Sequence, residues 1–166
     1  MYWIQLSGAS VLSAPDIAHK TFGQASEHTY NDYEAADEIR TLITKTSSRA
    51  VDQAVLKFGH ENSSKVKTAL VFPPIVYGQG RGLGNSRSIQ IPDLCKLAIE
   101  KKTSVYVGAG KASWGNVHIA DLSRVFMSLA QEAFAEKIND ELWNQQGLYL
   151  VQTGEQVRYP CGGRFR

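Results

Sequence analysis

Tyr77 and Arg81 are the residues best placed to meet a ligand, because they stand in a run of glycines at positions 78, 80, 82 and 84. Glycine keeps such a segment low and lets it adopt positive φ, so the few side chains present can reach something. The segment follows Val66–Phe72, whose alternating and then continuous apolar residues predict a strand buried on both faces of a parallel sheet. Pro73 and Pro74 end that strand, since neither can donate to a ladder and each fixes φ. The chain therefore leaves the sheet at the strand's carboxyl end, where ligands bind in open α/β sheets. A plain glycine-rich surface loop after a core strand has the same composition.

The remaining chemistry is sparse. Cys95 and Cys161 have no metal-ligand spacing, so no metal site is expected and a reducing compartment is the default. No G-x-G-x-x-G turn follows a strand, although a dinucleotide pyrophosphate needs one at a helix N-terminus. The 166 residues make one domain's worth of chain with a net charge of +2, too small to argue for nucleic acid. Charge is uneven: residues 1–43 hold two basic and six acidic groups, and residues 44–111 hold eleven basic and four acidic. A basic middle suits an anionic small molecule, as it suits solvated helix ends such as Lys101 and Lys102. There is neither an apolar run of membrane-spanning length nor a signal peptide, so no membrane partner and a soluble, cytoplasmic protein are expected.

The elements that must position these groups read as follows. Residues 2–6 form a first strand, Ser7–Ala14 a small-residue loop, and 15–33 an irregular excursion. A helix from Glu34 presents Ala35, Ile39, Leu42 and Ile43. A second, capped by Thr46-Ser47-Ser48, presents Val51, Ala54, Val55 and Phe58. After the glycine loop come a helix from Ile91-Pro92-Asp93 with Leu94, Leu97 and Ala98 inward, a strand at 104–107 and a helix opening near Asp121. That last helix presents Leu122, Val125, Phe126, Leu129, Ala133 and Phe134, and a final strand follows at 147–151. This order is α/β. No internal repeat appears.

Four segments resemble the extended short-chain dehydrogenases/reductases, the NAD-dependent epimerase/dehydratase family, in an atypical form found in fungi. They are Ile4–Ser10, Pro73–Gly80, Gly108–Gly110 and Asn116–Leu122, the last being similar to a Val-His-x-x-Asp-Leu motif. The resemblance covers residues 1–155. It leaves out 156–166, an irregular basic tail that reads either as genuine or as a gene-model artefact.

The resemblance implies a partial Rossmann-like, doubly wound parallel sheet with helices on both faces. It also implies that the chain starts at the family's fifth strand, without the nucleotide-binding half. It carries NAD or NADP to Ser7, Gly8, Arg49, Pro73, Pro74, Ile75 and Val76. It carries the substrate to Tyr77, Arg81, Arg87, Ser88, Gln90, Trp114 and His118, with arginines suited to forked phosphate contacts. His118 and Asp121 equally suit holding the loop to the sheet, and Trp114 equally suits a buried place under the glycine turn.

The family's Tyr-x-x-x-Lys pair is absent from the matching helix, and Ser7 and Arg49 are the only catalytic candidates. Arginine stays protonated and cannot act as a general acid. The implied function is an NAD(P)-dependent epimerase/dehydratase-like oxidoreductase acting on a small hydroxyl, carbonyl or nucleotide-sugar ligand, with the fragment alone not competent. The alternatives are an NmrA-like NAD(P)-sensing regulator and a partial domain that needs a partner chain. Copies of the chain can also self-associate through a bare sheet edge.

Overall fold

The computed structural model describes residues 1–103, 106–135 and 139–153, together with the backbone of 157–158. Its first strand, β1 (Tyr2–Leu6), is followed by a 3₁₀ turn, α1 (Ala14–His19), α2 (Ala36–Lys45) and α3 (Ala50–Glu61). Then come β2 (Lys67–Phe72), β3 (Ile75–Tyr77) and α4 (Gln90–Lys101). The chain continues through β4 (Ser113–Trp114), β5 (Asn116–His118), α5 (Ile119–Ala133), β6 (Leu148–Leu150) and β7 (Val157–Arg158).

The main sheet has the order β1-β2-β6, all parallel, with Ile4 opposite Ala69 and Phe72 opposite Leu150. The side-chain period of two divides β2 between two cores. Leu70 and Phe72 join Val11, Ile39, Ile43, Val55 and Leu148 beneath α2 and α3. Ala69 and Val71 join Val117, Leu122, Leu129 and Trp143 beneath α5. Helices thus cover both faces of a parallel sheet whose central strand is apolar from Ala69 to Phe72. This is the partial Rossmann-like α/β architecture that the sequence implies.

The loop before β6 is tied to the start of β2. Asn144, at φ 57°, places its side-chain oxygen 2.9 Å from the Thr68 amide, and its own amide donates to the Thr68 carbonyl at 2.8 Å. Two smaller parallel and antiparallel pairs, β3–β5 and β4–β7, continue the structure past Pro74.

Several local expectations are corrected. α1 interrupts the stretch read as irregular, starting where Pro15 occupies the first turn and its missing N–H costs nothing. Beyond it, Gly23 at φ 73° lies against the Val107 carbonyl, so the excursion is docked on the turn at Gly108.

α3 is rotated from the apolar stripe: Asp52, Val55 and Gly59 are buried, while Val51, Ala54 and Phe58 are exposed. The helix comes close to the sheet at Gly59, and Asp52 finds a partner inside. Thr46-Ser47-Ser48 provides no side-chain cap; a 3₁₀ turn over Ser47–Arg49 leads into α3 instead. α4 buries none of its residues, and Phe134 projects outward past the end of α5. Ser104 and Val105 of the expected fifth strand lie outside the described residues, and Tyr106 and Val107 are exposed coil. The tail at 156–166, with Cys161, lies outside them except for the backbone of β7.

Candidate functional site

Two depressions open where strands end. The smaller, about 450 Å³, lies past the carboxyl end of β1 and is lined by Gln5, Leu6, Ser7, Gly8 and residues 48–52. The larger, about 720 Å³, lies past the end of β5 and is lined by Gln79, Gly80, Arg81, His118, Ala120, Ser123 and Arg124 among others.

The smaller hollow is built from two chain segments. Parallel pairing carries β1 as far as Leu6, and the Ser7 amide then donates to the Val71 carbonyl at 2.8 Å. Ser7 is thereby fixed beside the first turn of α3. Its Oγ donates to Asp52 Oδ2 at 2.9 Å. Asp52 is 4% exposed, and Arg49 Nη1 stands 3.7 Å from the same oxygen. Arg49 Nη2 donates to Ser10 Oγ at 2.6 Å.

A carboxylate this deep needs such partners, since leaving it unpaired would cost several kcal/mol. The start of a helix also favours negative charge. The hollow therefore presents a hydroxyl whose proton is directed at a buried carboxylate, with a guanidinium beside it. Charge within it is balanced.

The larger cleft is organised by His118. Its Nδ1 accepts from the Ala120 amide at 3.1 Å and caps α5, so the proton of the neutral ring sits on Nε2. The ring meets Tyr77 edge-on with centroids 5.1 Å apart. Gly78, at φ 97°, is required here, because a Cβ would stand 2.4 Å from His118 Nε2. Arg81 and Arg124 face the cleft from opposite segments, and Arg124 is also paired with Asp121.

The sequence candidates divide accordingly. Ser7, Gly8 and Arg49 come together in the hollow, and Arg81 and His118 in the cleft, with Tyr77 against the histidine. Pro73, Pro74, Ile75 and Val76 line neither depression. The Pro73 carbonyl instead accepts from the Ala9 amide at 3.0 Å, and Ile75–Tyr77 pairs with β5. Arg87 is ion-paired with Asp93 at 2.9 Å, and Ser88, Gln90 and Trp114 do not line either depression. Trp114 is 42% exposed in β4 rather than buried beneath the glycine turn.

Sequence reasoning missed Asp52, Ser123 and Arg124. Asp52 had a signal: a carboxylate three residues after Arg49 in a helix's first turn. It lay on what the apolar stripe marked as the outer side.

A dinucleotide does not fit these residues as a whole. The loop after β1 leads into a 3₁₀ turn and the six-residue α1, not into a long helix. Gly8 is not needed for close approach, since a Cβ there would meet only Ser10 Oγ at 3.7 Å. No pyrophosphate cradle is formed among the described residues. Among them, too, no three potential metal ligands cluster, and no helix is long and apolar enough to cross a membrane.

No protein-family model matches the chain, and no solved structure matches it significantly. A curated protein of Acremonium sp, described as Oxidase ucsJ, is 32% identical to it over 162 residues. That match takes in 94% of this chain and 47% of the oxidase, so the chain spans about half the length of the curated relative to which it is similar.

Proposed function

We propose that these residues form the ligand-facing part of an NAD(P)-dependent oxidoreductase acting on a small hydroxyl- or carbonyl-bearing compound, nucleotide-sugar-like compounds included. The observation that carries this reading is the Ser7–Asp52–Arg49 cluster at the carboxyl end of β1, beside the central strand of a parallel α/β sheet. The similarity to a protein described as an oxidase supports the same class. In such a protein a nicotinamide would exchange hydride with the ligand, and its pyrophosphate would be held by residues other than these.

What this chain supplies is local. Ser7 Oγ can accept from a ligand hydroxyl, Asp52 can hold a proton, and Arg49 can face the ligand oxygen. Arg81 and Arg124 supply positive charge at the neighbouring cleft. A second reading, an NmrA-like regulator that senses NAD(P) without turnover, is favoured by the absence of a Tyr-x-x-x-Lys pair along α3.

Titrating NADH and NADPH against this chain, and against the chain together with the half that its relative carries besides, is the first test. We expect weak or no binding by the chain alone and micromolar binding by the longer form. Low-micromolar binding by the chain alone would contradict this reading. Nucleotide-dependent turnover of alcohols or carbonyl compounds by the longer form, set against binding without turnover, separates the enzyme from the regulator.

A further inference from the structure

The hollow over Ser7 is electrically balanced, and this restricts what can enter it. Asp52 Oδ2 accepts a hydrogen bond from Ser7 Oγ at 2.9 Å and lies 3.7 Å from Arg49 Nη1, so the guanidinium is already matched by a carboxylate. An anion placed beside Arg49 would also meet Asp52. A neutral hydroxyl meets no such opposition. Ser7 Oγ already spends its O–H on Asp52 and retains lone pairs that can accept a hydrogen bond.

Among the described residues, Arg49 is the charged partner of Asp52. Ser7, from the loop after β1, is its hydrogen-bond donor. Gln5 and Ser48 add neutral polar groups to the wall, and β2 packs on α3 through Thr68 at Gly59.

We propose that this hollow binds a neutral ligand hydroxyl, which donates to Ser7 Oγ, while Asp52 takes up the proton that Ser7 passes on. In the forward step the ligand O–H bond breaks and Ser7 Oγ gains that proton. Ser7 releases its own proton to Asp52 Oδ2, and the electron pair of the broken bond stays on the ligand oxygen, facing Arg49. Asp52 ends as a neutral carboxyl, so total charge is conserved. The reverse step protonates a ligand oxygen. The chemistry of the ligand follows from the oxidoreductase reading, which this site deepens, but its binding preference can be measured without any nucleotide.

The probe is 4-nitrophenol, a single hydroxyl that ionises near neutrality with a change in absorbance. Wild-type protein is expected to bind the neutral phenol roughly tenfold or more tightly than the phenolate, which has no proton to donate to Ser7 Oγ and would face the Asp52 carboxylate, so affinity falls as pH rises through the probe's ionisation. In Asp52→Asn the preference should reverse, because Arg49 is left without its counter-charge and the phenolate is no longer opposed. Ser7→Ala should weaken neutral-phenol binding severalfold and keep the wild-type pH trend.

A purely structural Asp52 would lose both forms equally in Asp52→Asn, and that result overturns the proposal. So does a wild-type preference for the phenolate, or the absence of saturable binding. If Asp52→Asn does not fold, the wild-type pH trend with Ser7→Ala still decides. Failure of turnover with NAD(P) would leave this measurement standing, and the converse also holds.

Discussion

Gly59 of α3 faces Thr68 of β2 so closely that a Cβ added at Gly59 would stand 2.4 Å from Thr68 Oγ1. The contact cannot relax by a side chain swinging away. Thr68 is 3% exposed, β-branched, and tied through Oγ1 to Asn144 Oδ1 at 3.1 Å.

Gly59→Ala therefore opposes two effects. Alanine favours the helix by about 1 kcal/mol. Overpacking at a closed contact costs about 1–3 kcal/mol. The second should win, and urea unfolding of Gly59→Ala is expected to show a net loss of about 1 kcal/mol. A gain in stability would mean that α3 stands further from the sheet than described.

Tyr149 gives a stability change with a defined sign. Burial, then Asp32 and then Glu132, push its hydroxyl up to about 12 from an ordinary 10.0, and its Oη donates to the Leu142 carbonyl at 2.5 Å. Tyr30 is raised as well, chiefly by burial. A raised folded value means that the folded state keeps the proton where the unfolded chain has lost it. The contribution is fully present below pH 10 and is lost as pH climbs toward 12. Urea midpoints should fall across that window in the wild type and fall less in Tyr149→Phe. At neutral pH the same substitution should cost about 1 kcal/mol for the lost hydrogen bond.

β1 pairs with β2 on one side, and among the described strands nothing pairs with the other. Its sequence, YWIQL, carries neither charge nor proline to blunt that edge. Leu6, Val51 and Phe58 are exposed nearby at 52%, 59% and 38%, and Trp3 meets Phe58 edge-on at 6.0 Å. We expect the isolated chain to self-associate or aggregate, with its mass rising with concentration in size-exclusion chromatography with light scattering. Leu6→Lys, which sets a charge at the exposed end of that strand, should lower the association. A monodisperse monomer with a sharp thermal transition would show that the edge is covered.

What could be read from the sequence was what local periodicity encodes. Leu70 and Phe72 alternate with Ala69 and Val71, so both faces of β2 were evident, as were Ile39 and Ile43 of α2. α3 was misjudged because its inward face includes Asp52. That residue is buried by a serine 45 positions earlier, a relationship no window of apolar residues contains. α4 has a helical stripe yet buries nothing, since periodicity shows only that a face exists and not that anything covers it. The docking of Gly23 on Val107 was invisible for the same long-range reason. At the site, Ser7 and Arg49 were named singly; their meeting through Asp52 depends on the register between β1 and β2.

That register also governs the order of assembly. Tyr2 is hydrogen-bond neighbour to Lys67, and Leu70 waits for Leu148. Helices α2 and α3 can form from local contacts, but no strand of the main sheet has a partner close in sequence. Such high contact order slows folding. On a ribosome adding ~5–20 residues per second, β1 stays unpaired for several seconds at least before β2 emerges. During that interval an uncharged strand is available to any other extended chain, so yield of the folded protein should depend on chaperone supply and synthesis rate more than on the stability of the finished sheet.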